Sequence, residues 1–259
     1  MSSPLTVCVT GASSGIGLEL TKQFLARGDK VLVLVRTAMS SATKVDVLSS
    51  LSGDLSIVTG ADVASDSLKG VLAASTAISN LESIDLLIHN AGSYNATRSM
   101  GMEMFSDQTL SNISTDRMLA AFQVNTLGPL RVQQALQDKL KPGSKVCVIS
   151  TGMSSIADNG SGGHTAYRVS KAAVNMLAKG MSCELKEKGI SVICFNPGMV
   201  QTEFGPGATA LKNGMGAKPV DKTCACIIKG CDKMTIEDSG QFWTVNKETY
   251  EPEIFTAGW

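Results

Sequence analysis

The chain has 259 residues, of which 43% are hydrophobic, and its 23 basic residues balance 23 acidic ones. This length allows a large buried core, and a net charge of zero gives no electrostatic reason to expect nucleic acid or a membrane surface as a partner. No apolar run is long enough to span a membrane and the first strand begins near the start of the chain, so we expect a cytoplasmic protein without a targeting segment.

Apolar runs of strand length alternate with segments of helical periodicity. The predicted strands are 5–9, 30–35, 55–59, 84–88, 145–149, 191–195 and 240–245. The predicted helices are 16–26, 65–81, 115–140, 165–188 and 221–234, with a weak helical pattern at best in 37–54. This alternation predicts an α/β fold, a doubly wound parallel sheet of about seven strands, in a single domain that covers residues 1–259.

The turn after the first predicted strand is rich in glycine and reads TGASSGIG over 10–17. Gly11 would let the chain turn sharply, Gly15 would let the backbone approach a pyrophosphate, and Gly17 would let helix and sheet pack closely. The free N–H groups at the start of the next helix would face the phosphates. This pattern predicts a Rossmann-type dinucleotide site, and a turn that binds nothing is the alternative.

The end of the second predicted strand bears on the choice of dinucleotide. A carboxylate at this place favours NAD, whereas an Arg accommodates the additional phosphate of NADP. The sequence has Arg36 and no adjacent carboxylate, and a guanidinium can form two hydrogen bonds to one phosphate. NADP(H) is therefore predicted over NAD(H), with a solvated surface Arg36 as the alternative.

Tyr167 and Lys171 are four residues apart and share one face of a predicted helix. A phenol ordinarily titrates near pH 10, and a nearby ammonium group lowers its pKa by favouring the phenolate. In a reduction, Tyr167 would protonate the developing alkoxide as hydride reaches the carbonyl carbon.

The glycine spacing Gly-x-x-x-Gly-x-Gly after Thr10, followed in order by Tyr-x-x-x-Lys, resembles the short-chain dehydrogenase/reductase family. The resemblance covers residues 5–245. Segments 150–171 and 239–243 are most similar to the C-factor and Sniffer-type carbonyl reductase branch.

The resemblance implies roles for further residues. Lys171 would also hold the nicotinamide ribose, Asp62 would lie against the adenine, and the 197–202 segment would hold the carboxamide. The cofactor contacts that it implies are Gly11, Ser13, Ser14, Gly15, Ile16, Gly17, Arg36, Asp62, Val63, Asn90, Ala91, Gly92, Tyr167, Lys171, Pro197, Gly198, Val200 and Thr202. His89 replaces the first Asn of the family's Asn-Asn-Ala-Gly segment, and we expect it to be a packed structural residue.

Asn125 matches the family Asn that holds a water molecule in a proton relay to the Lys. Its position before the mid-helix Pro129 also predicts a backbone irregularity. Asn125 could therefore bridge a kink, serve the relay, or do both.

The family's active-site Ser has more than one match. Counting forward from the fifth strand gives Thr151, and counting back thirteen residues from Tyr167 gives Ser154, while Ser150 adjoins the strand. We favour Thr151, because the strand end fixes its position and the glycine-rich 159–163 run resembles an insertion. A Thr hydroxyl donates to a carbonyl as a Ser hydroxyl does.

Three segments, 93–105, 153–164 and 203–217, are expected to line the substrate site, and glycine-rich 203–208 is a candidate lid. Arg98 is the one possible anion anchor and is expected to be solvated. The predicted pocket is apolar and adaptable, lined by Tyr94, Met100, Met102, Met153, Met199, Phe204 and Met215. A neutral aldehyde or ketone, or the corresponding alcohol, is the predicted substrate.

Three functions fit these observations: an NADPH-dependent carbonyl reductase, an isomerase or lyase on the same scaffold, and a non-catalytic NADP-binding sensor. The joint presence of Tyr167, Lys171 and Asn125 favours an enzyme. Seven cysteines without ligand spacing predict no metal site. Phe255 and Trp259 are expected to dock on the body or on another subunit, and the resemblance implies a homodimer or homotetramer.

Overall fold

The computed structural model describes residues 3–36, 42–94, 108–205 and 216–259. Its strands are β1 Thr6–Thr10, β2 Lys30–Leu34, β3 Leu55–Val58, β4 Leu86–His89, β5 Lys145–Ile149, β6 Ser191–Asn196, β7 Phe242–Val245 and β8 Pro252–Ile254. Its α-helices are α1 Gly15–Arg27, α2 Ala42–Ser49, α3 Leu68–Ala73, α4 Thr76–Ser79, α5 Thr115–Phe122, α6 Gly128–Leu136, α7 Thr165–Lys186 and α8 Val220–Lys233.

The eight strands form one sheet in the order β3-β2-β1-β4-β5-β6-β7-β8. All neighbours are parallel except β7 and β8, which are antiparallel. The predicted doubly wound parallel sheet is confirmed. Strand order reverses between β1 and β4, and in such sheets ligands bind beyond the carboxyl ends of the strands at this reversal.

The core lies on both faces of the sheet, because helices cover each face. Successive strand residues point to opposite faces, so Val7 and Val9 belong to one apolar cluster and Cys8 to the other. All three residues are fully buried. This two-sided burial explains why the strands are continuous apolar runs in the sequence.

Two predicted helices are interrupted in the structure. The 65–81 prediction becomes α3 and α4, because Ser75 adopts an extended conformation between them. The 115–140 prediction contains a π-helix, Gln123–Leu127, between α5 and α6, and ends in a 3₁₀ turn. The irregularity predicted beside Asn125 and Pro129 is thereby confirmed.

The region after β7 was predicted to be irregular and to follow the last strand, and this was wrong. Pro252–Ile254 forms β8, an eighth strand that pairs with β7 through a tight reversal of the chain. Three residues are too few for a period-two pattern to be recognised in the sequence. In the parts of the chain that the structure describes, no helix is both long and apolar enough to cross a membrane.

Candidate active site

The glycine turn lies at the strand-order reversal and has the tight packing that its sequence predicts. Gly11 and Gly15 have φ values of +67° and +55°, which favour glycine. A Cβ atom on Gly11 would lie 2.8 Å from the Ala91 Cα, and one on Gly17 would lie 2.5 Å from the Gly11 carbonyl oxygen. The turn is thus a cradle in which side chains are excluded by the neighbouring backbone.

Asn90 ties the end of β4 to this turn. Its Nδ2 donates to the carbonyl oxygens of Thr10 and Gly11 at 2.9 and 3.2 Å. The Thr10 hydroxyl accepts from the N–H groups of Asn90 and Ala91, each at 2.9 Å. Asn90 and Ala91 therefore shape the cradle, and their predicted contact with a cofactor stays a prediction.

Helix α1 presents its N-terminus to the cradle. The N–H of Leu18 donates to the Ser14 carbonyl oxygen, so the N–H groups of Gly15, Ile16 and Gly17 precede the first helical hydrogen bond. Ser13 is half-buried and Ser14 is exposed. N–H groups and hydroxyls at a helix N-terminus suit the oxygens of a pyrophosphate, so the residues present fit a dinucleotide.

The residues predicted to contact the adenosine half lie at the carboxyl ends of neighbouring strands. Arg36 is exposed just beyond β2. Asp62 is half-buried and accepts a hydrogen bond from the Ala64 N–H at 3.0 Å, while Val63 is buried against Gly128. Arg36, Asp62 and Val63 are therefore on the cradle side of β2 and β3.

The segment after β6 meets the glycine turn. A Cβ atom on Gly15 would lie 3.4 Å from the Thr202 Cβ. Gly198 has a φ of +72° and packs against the Lys218 side chain, and Val200 forms a bridge with Lys218. Pro197 is buried and Met199 is exposed. These contacts bring the glycine turn and the 197–202 segment together at the carboxyl ends of the strands.

Tyr167 and Lys171 lie on the buried face of α7. The Lys171 ammonium donates to the Ile149 carbonyl oxygen at 2.7 Å, and burial lowers its pKa from 10.5 to about 8. Gly92 leaves room beside it, since a Cβ there would lie 3.6 Å from Lys171 Nζ and 3.3 Å from Asn125 Oδ1. Because Gly92 has no side chain, Lys171 Nζ and Asn125 Oδ1 can both face the space beside Gly92.

The pKa of Tyr167 is raised in the structure, contrary to the expectation that the neighbouring ammonium lowers it. Burial raises it, a hydrogen bond with Thr151 acts in the opposite direction, and the Tyr94 phenol raises it further. The Lys171 ammonium donates to the Ile149 carbonyl oxygen, and desolvation of the buried phenol is the largest cause of the rise.

The three candidate hydroxyls have different partners. Thr151 is half-buried, lies close enough to Tyr167 to lower the pKa of its phenol, and accepts from the Met153 N–H at 3.2 Å. Ser154 donates to the Thr151 carbonyl oxygen and accepts from Asn175 Nδ2, while Ser150 donates to Asn175 Oδ1. Thr151 is therefore the hydroxyl beside the phenol, whereas Ser150 and Ser154 are engaged by Asn175.

Asn125 is fully buried in the π-helix. Its Nδ2 donates to the Ser93 carbonyl oxygen at 2.8 Å and to Ser170 Oγ at 2.9 Å, and its Oδ1 accepts from the Ser93 N–H at 2.8 Å. Ser170 Oγ in turn donates to the Tyr167 carbonyl oxygen at 2.9 Å. Asn125 thus bridges the irregular helix, the segment after β4 and α7.

An aromatic wall lies over Tyr167. The Tyr94 and Tyr167 ring centroids are 4.8 Å apart, and the Phe204 centroid is 6.4 and 6.1 Å from them, respectively. Met153 packs against the two tyrosines, and the Tyr94 hydroxyl hydrogen-bonds to His164 Nδ1. Tyr94, Met153 and Phe204 thus lie where a substrate pocket was predicted.

Sequence reasoning missed the residues that hold this wall. Gln108 is buried, and its side-chain Nε2 donates to the Tyr94 main-chain carbonyl oxygen at 3.3 Å. The main-chain carbonyl oxygen of Gln108 accepts from the Thr165 hydroxyl at 3.0 Å. His164 was placed only within a lining segment. No sequence motif marks either residue, because both act through pairings distant in the chain.

Several predictions fall outside the described residues: Arg98, Met100, Met102, Met215 and residues 206–208 of the candidate lid. His89 is the last residue of the central strand β4 and is buried, and its Nε2 lies 3.4 Å from Gln133 Oε1. Burial lowers its pKa to about 4, as expected for a neutral structural residue. Within the described part of the chain, no three His, Cys, Asp or Glu side chains are grouped to hold a metal ion.

A parallel sheet with a glycine cradle, a helix N-terminus and a buried Tyr–Lys pair at one edge defines a dinucleotide-binding α/β protein. The family model of short chain dehydrogenases matches residues 5–211. The chain belongs to the short-chain dehydrogenase family and is an NAD(P)-dependent oxidoreductase.

Two curated relatives agree with this family. The chain is 30% identical over 240 residues to a 1-hydroxy-2-glutathionyl-2-methyl-3-butene dehydrogenase of Rhodococcus sp. (strain AD45), a match that covers 92% of this chain and 95% of the relative. It is 34% identical over 163 residues to the C-signal protein of Myxococcus xanthus, which covers 62% and 87%, respectively.

Solved structures give the same result. An NADPH-bound carbonyl reductase from chicken fatty liver is 26% identical, with a TM-score of 0.78 over 97% of this chain and 99% of that one. The carbonyl reductase Sniffer of D. melanogaster is 22% identical and shares the fold, with a TM-score of 0.78 over 99% and 100% of the two chains. The predicted family and its carbonyl reductase-like branch are confirmed.

Proposed function

We propose that this protein is an NADPH-dependent reductase of neutral aldehydes and ketones, which oxidises the corresponding alcohols in the reverse direction. The observation that supports this most strongly is that Tyr167, Thr151 and Lys171 lie together at the carboxyl ends of the strands, on the same side of the sheet as the glycine cradle. Tyr167 and Lys171 come from one face of α7, and Thr151 comes from the turn after β5. Their common position favours acid–base chemistry beside a bound dinucleotide.

The cofactor would lie across the carboxyl ends of β1, β4 and β6. The N–H groups of 15–17 would hold the pyrophosphate, Arg36 the additional phosphate of NADP, and Lys171 the nicotinamide ribose. The 197–202 segment would hold the carboxamide. The bound reduced nicotinamide supplies the hydride for the carbonyl carbon.

Tyr167 donates the proton to the carbonyl oxygen as negative charge develops there. Thr151 lies beside the phenol, and its single O–H would donate to the same carbonyl oxygen, which orients the carbonyl. The pKa of about 8 keeps Lys171 mostly protonated at pH 7, so its ammonium favours a phenolate after proton transfer. Asn125 and Lys171 face the space beside Gly92, where a water molecule would return the proton.

A neutral substrate is favoured by the charges around the aromatic wall. Arg168 is the cation whose charge influences both Tyr94 and His164. Its guanidinium donates to the carbonyl oxygens of Gly163 and Met153, each at 3.1 Å, and to the Ser161 hydroxyl at 2.9 Å. Arg168 is thus committed to the loop before α7 and is not directed to a substrate anion.

The activity is tested by following the loss of NADPH absorbance with a panel of ketones and aldehydes. Loss of a general acid costs about 100-fold or more in kcat, which is the expected effect of Tyr167→Phe. Tyr250→Phe is the matched control, since Tyr250 contacts Lys222 away from the site. Equal rates for Tyr167→Phe and the unaltered protein would remove Tyr167 from the mechanism. NADPH binding without conversion of any substrate would favour a sensor. Conversion of a substrate without net oxidation of NADPH would favour an isomerase or lyase.

We also propose that the chain forms a homodimer or homotetramer through α5 and α7. The two helices pack together and expose large apolar side chains: Leu119 of α5, and Val169 and Met176 of α7, are 61%, 46% and 74% exposed. Large apolar side chains exposed on two packed helices are typical of an interface. Light scattering after chromatography should give a multiple of the chain mass for the unaltered protein and a smaller mass for Met176→Asp. A monomeric unaltered protein would contradict the proposal.

A further inference from the structure

The last residues of the chain pack against the turn that carries Thr151. The main-chain oxygen of Trp259 accepts from the Ile156 N–H at 3.0 Å and from the Ser155 hydroxyl at 3.3 Å. Ser155 is 1% exposed. A segment more than a hundred positions away in the sequence therefore closes the end of this turn.

Two aromatic rings anchor that contact to the sheet. The Trp259 ring stacks on Phe242 of β7, with centroids 5.3 Å apart and planes at 22°. The Phe255 and Phe242 ring centroids are 4.8 Å apart. The main-chain N–H of Phe255 donates to the Phe242 carbonyl oxygen at 2.8 Å. Phe242 is 3% exposed, so the anchor is part of the core.

Phe255 also reaches the residue beside Thr151. A Cβ atom on Gly152 would lie 3.4 Å from Phe255 Cζ and 3.3 Å from Asn196 Nδ2. The Cβ side of Gly152 therefore faces both the Phe255 ring and the Asn196 side chain at the end of β6. Because Thr151 directly precedes Gly152, this contact limits how far the Thr151 hydroxyl can move from Tyr167.

We propose that Phe255 and Trp259 are positioning residues for the reaction, which act through the 152–156 turn to keep the Thr151 hydroxyl beside the Tyr167 phenol. This inference rests on the proposed function, because it assigns the tail to the same proton-transfer site. The tail is then expected to affect the chemical step and not the hold on the pyrophosphate, since it contacts the turn that carries Thr151 and not the glycine cradle after β1.

Phe255→Ala is the first variant, and Ile254→Ala is its matched control, because Ile254 is the preceding residue and is 56% exposed. Displacement of an active-site group by a fraction of an ångström lowers kcat by about tenfold. We expect this loss for Phe255→Ala, with the Kd of NADPH unchanged and most of kcat restored in Phe255→Leu. Ile254→Ala should retain the kcat of the unaltered protein.

A pH profile distinguishes positioning from loss of stability. The nearby Thr151 hydroxyl lowers the Tyr167 pKa, so moving it away should shift the Tyr167 limb of the kcat profile to higher pH in Phe255→Ala. A change in stability alone would leave that limb in place. Trp259→Ala, which removes the stacked ring but leaves Phe255, supplies a second variant if Phe255→Ala does not fold.

The decisive measurement is a double-mutant cycle with Thr151→Val. If Phe255 acts through Thr151, the Phe255→Ala change should not lower kcat further when Thr151 is already Val. Additive losses, or a Phe255→Ala protein equal to Ile254→Ala in kcat and pH profile, would overturn the inference. These outcomes leave the proposed function standing as long as Tyr167→Phe abolishes reduction, whereas an active Tyr167→Phe protein would reject the proposed function itself.

Discussion

Asn125 and Ser93 exchange two hydrogen bonds of 2.8 Å, one from the Ser93 N–H to Asn125 Oδ1 and one from Asn125 Nδ2 to the Ser93 carbonyl oxygen. The π-helix places the amide at this position, and such local irregularities are frequent at functional sites. One side chain therefore satisfies both main-chain groups of a residue that precedes the aromatic wall.

Replacement of Asn125 by Ala should lower the free energy of unfolding by about 2–4 kcal/mol, because two buried main-chain groups lose their partners. Urea denaturation measures this loss. Asn80→Ala, at an exposed position after α4, should change the free energy by no more than about 0.5 kcal/mol. Equal stabilities for the two variants would show that Ser93 finds other partners.

Thr151→Val should reduce kcat by about 100-fold, since Val keeps the shape of the side chain and removes the donor to the developing oxyanion. Thr151→Ser should retain most of the activity. Ser154→Ala is the control, because the Ser154 hydroxyl bonds to Asn175 and to the Thr151 carbonyl oxygen. Steady-state kcat values test which hydroxyl serves the reaction. A larger loss of kcat in Ser154→Ala than in Thr151→Val would assign that role to Ser154 instead of Thr151.

Arg36→Ala should raise the KM for NADPH by about tenfold or more, because a charge-assisted hydrogen bond contributes about 1.5–3 kcal/mol. The KM for NADH should change little, since NADH lacks the additional phosphate. Lys30→Ala removes an exposed cation from the opposite end of β2 and should affect neither value. A parallel change in both KM values for Arg36→Ala would contradict a phosphate contact.

Gly17→Ala should abolish NADPH binding and lower stability, because the added Cβ would lie 2.5 Å from the Gly11 carbonyl oxygen. Gly70 is also helical, but a Cβ there would have no neighbour within 4 Å. Gly70→Ala should therefore stabilise the protein by about 0.5–1 kcal/mol. Fluorescence titration with NADPH and urea denaturation test the pair, and tight binding by Gly17→Ala would show that the cradle adjusts.

His89 should make the protein less stable in weak acid. Burial lowers its pKa from 6.5 to about 4 in the folded chain. Between these pH values the unfolded chain binds a proton that the folded chain does not, so the free energy of unfolding falls as the pH falls, by on the order of 3 kcal/mol. Urea denaturation at pH 7.5 and 4.5 should show a smaller difference for His89→Asn than for the unaltered protein. An unchanged difference would mean that other groups account for the acid sensitivity.

The alternation of strands and helices was readable because each element carries its own local signal. Buried parallel strands are apolar at every position, as in β2 and β6, and the glycine turn has backbone requirements that few sequences meet. The break between α3 and α4 and the short strand β8 depend on contacts outside the segment, and local patterns therefore missed them.

The sequence by itself determined the succession of strands and helices along the chain, the glycine turn, and the Tyr167–Lys171 spacing, because each depends on residues that are close together in the sequence. Only the tertiary structure decided that Thr151 contacts the phenol while Ser150 and Ser154 turn to Asn175. It also decided that burial, rather than the Lys171 charge, dominates the Tyr167 pKa. The physical reason is that hydrogen-bond partners and desolvation arise where distant segments pack, and one-dimensional spacing does not contain that information.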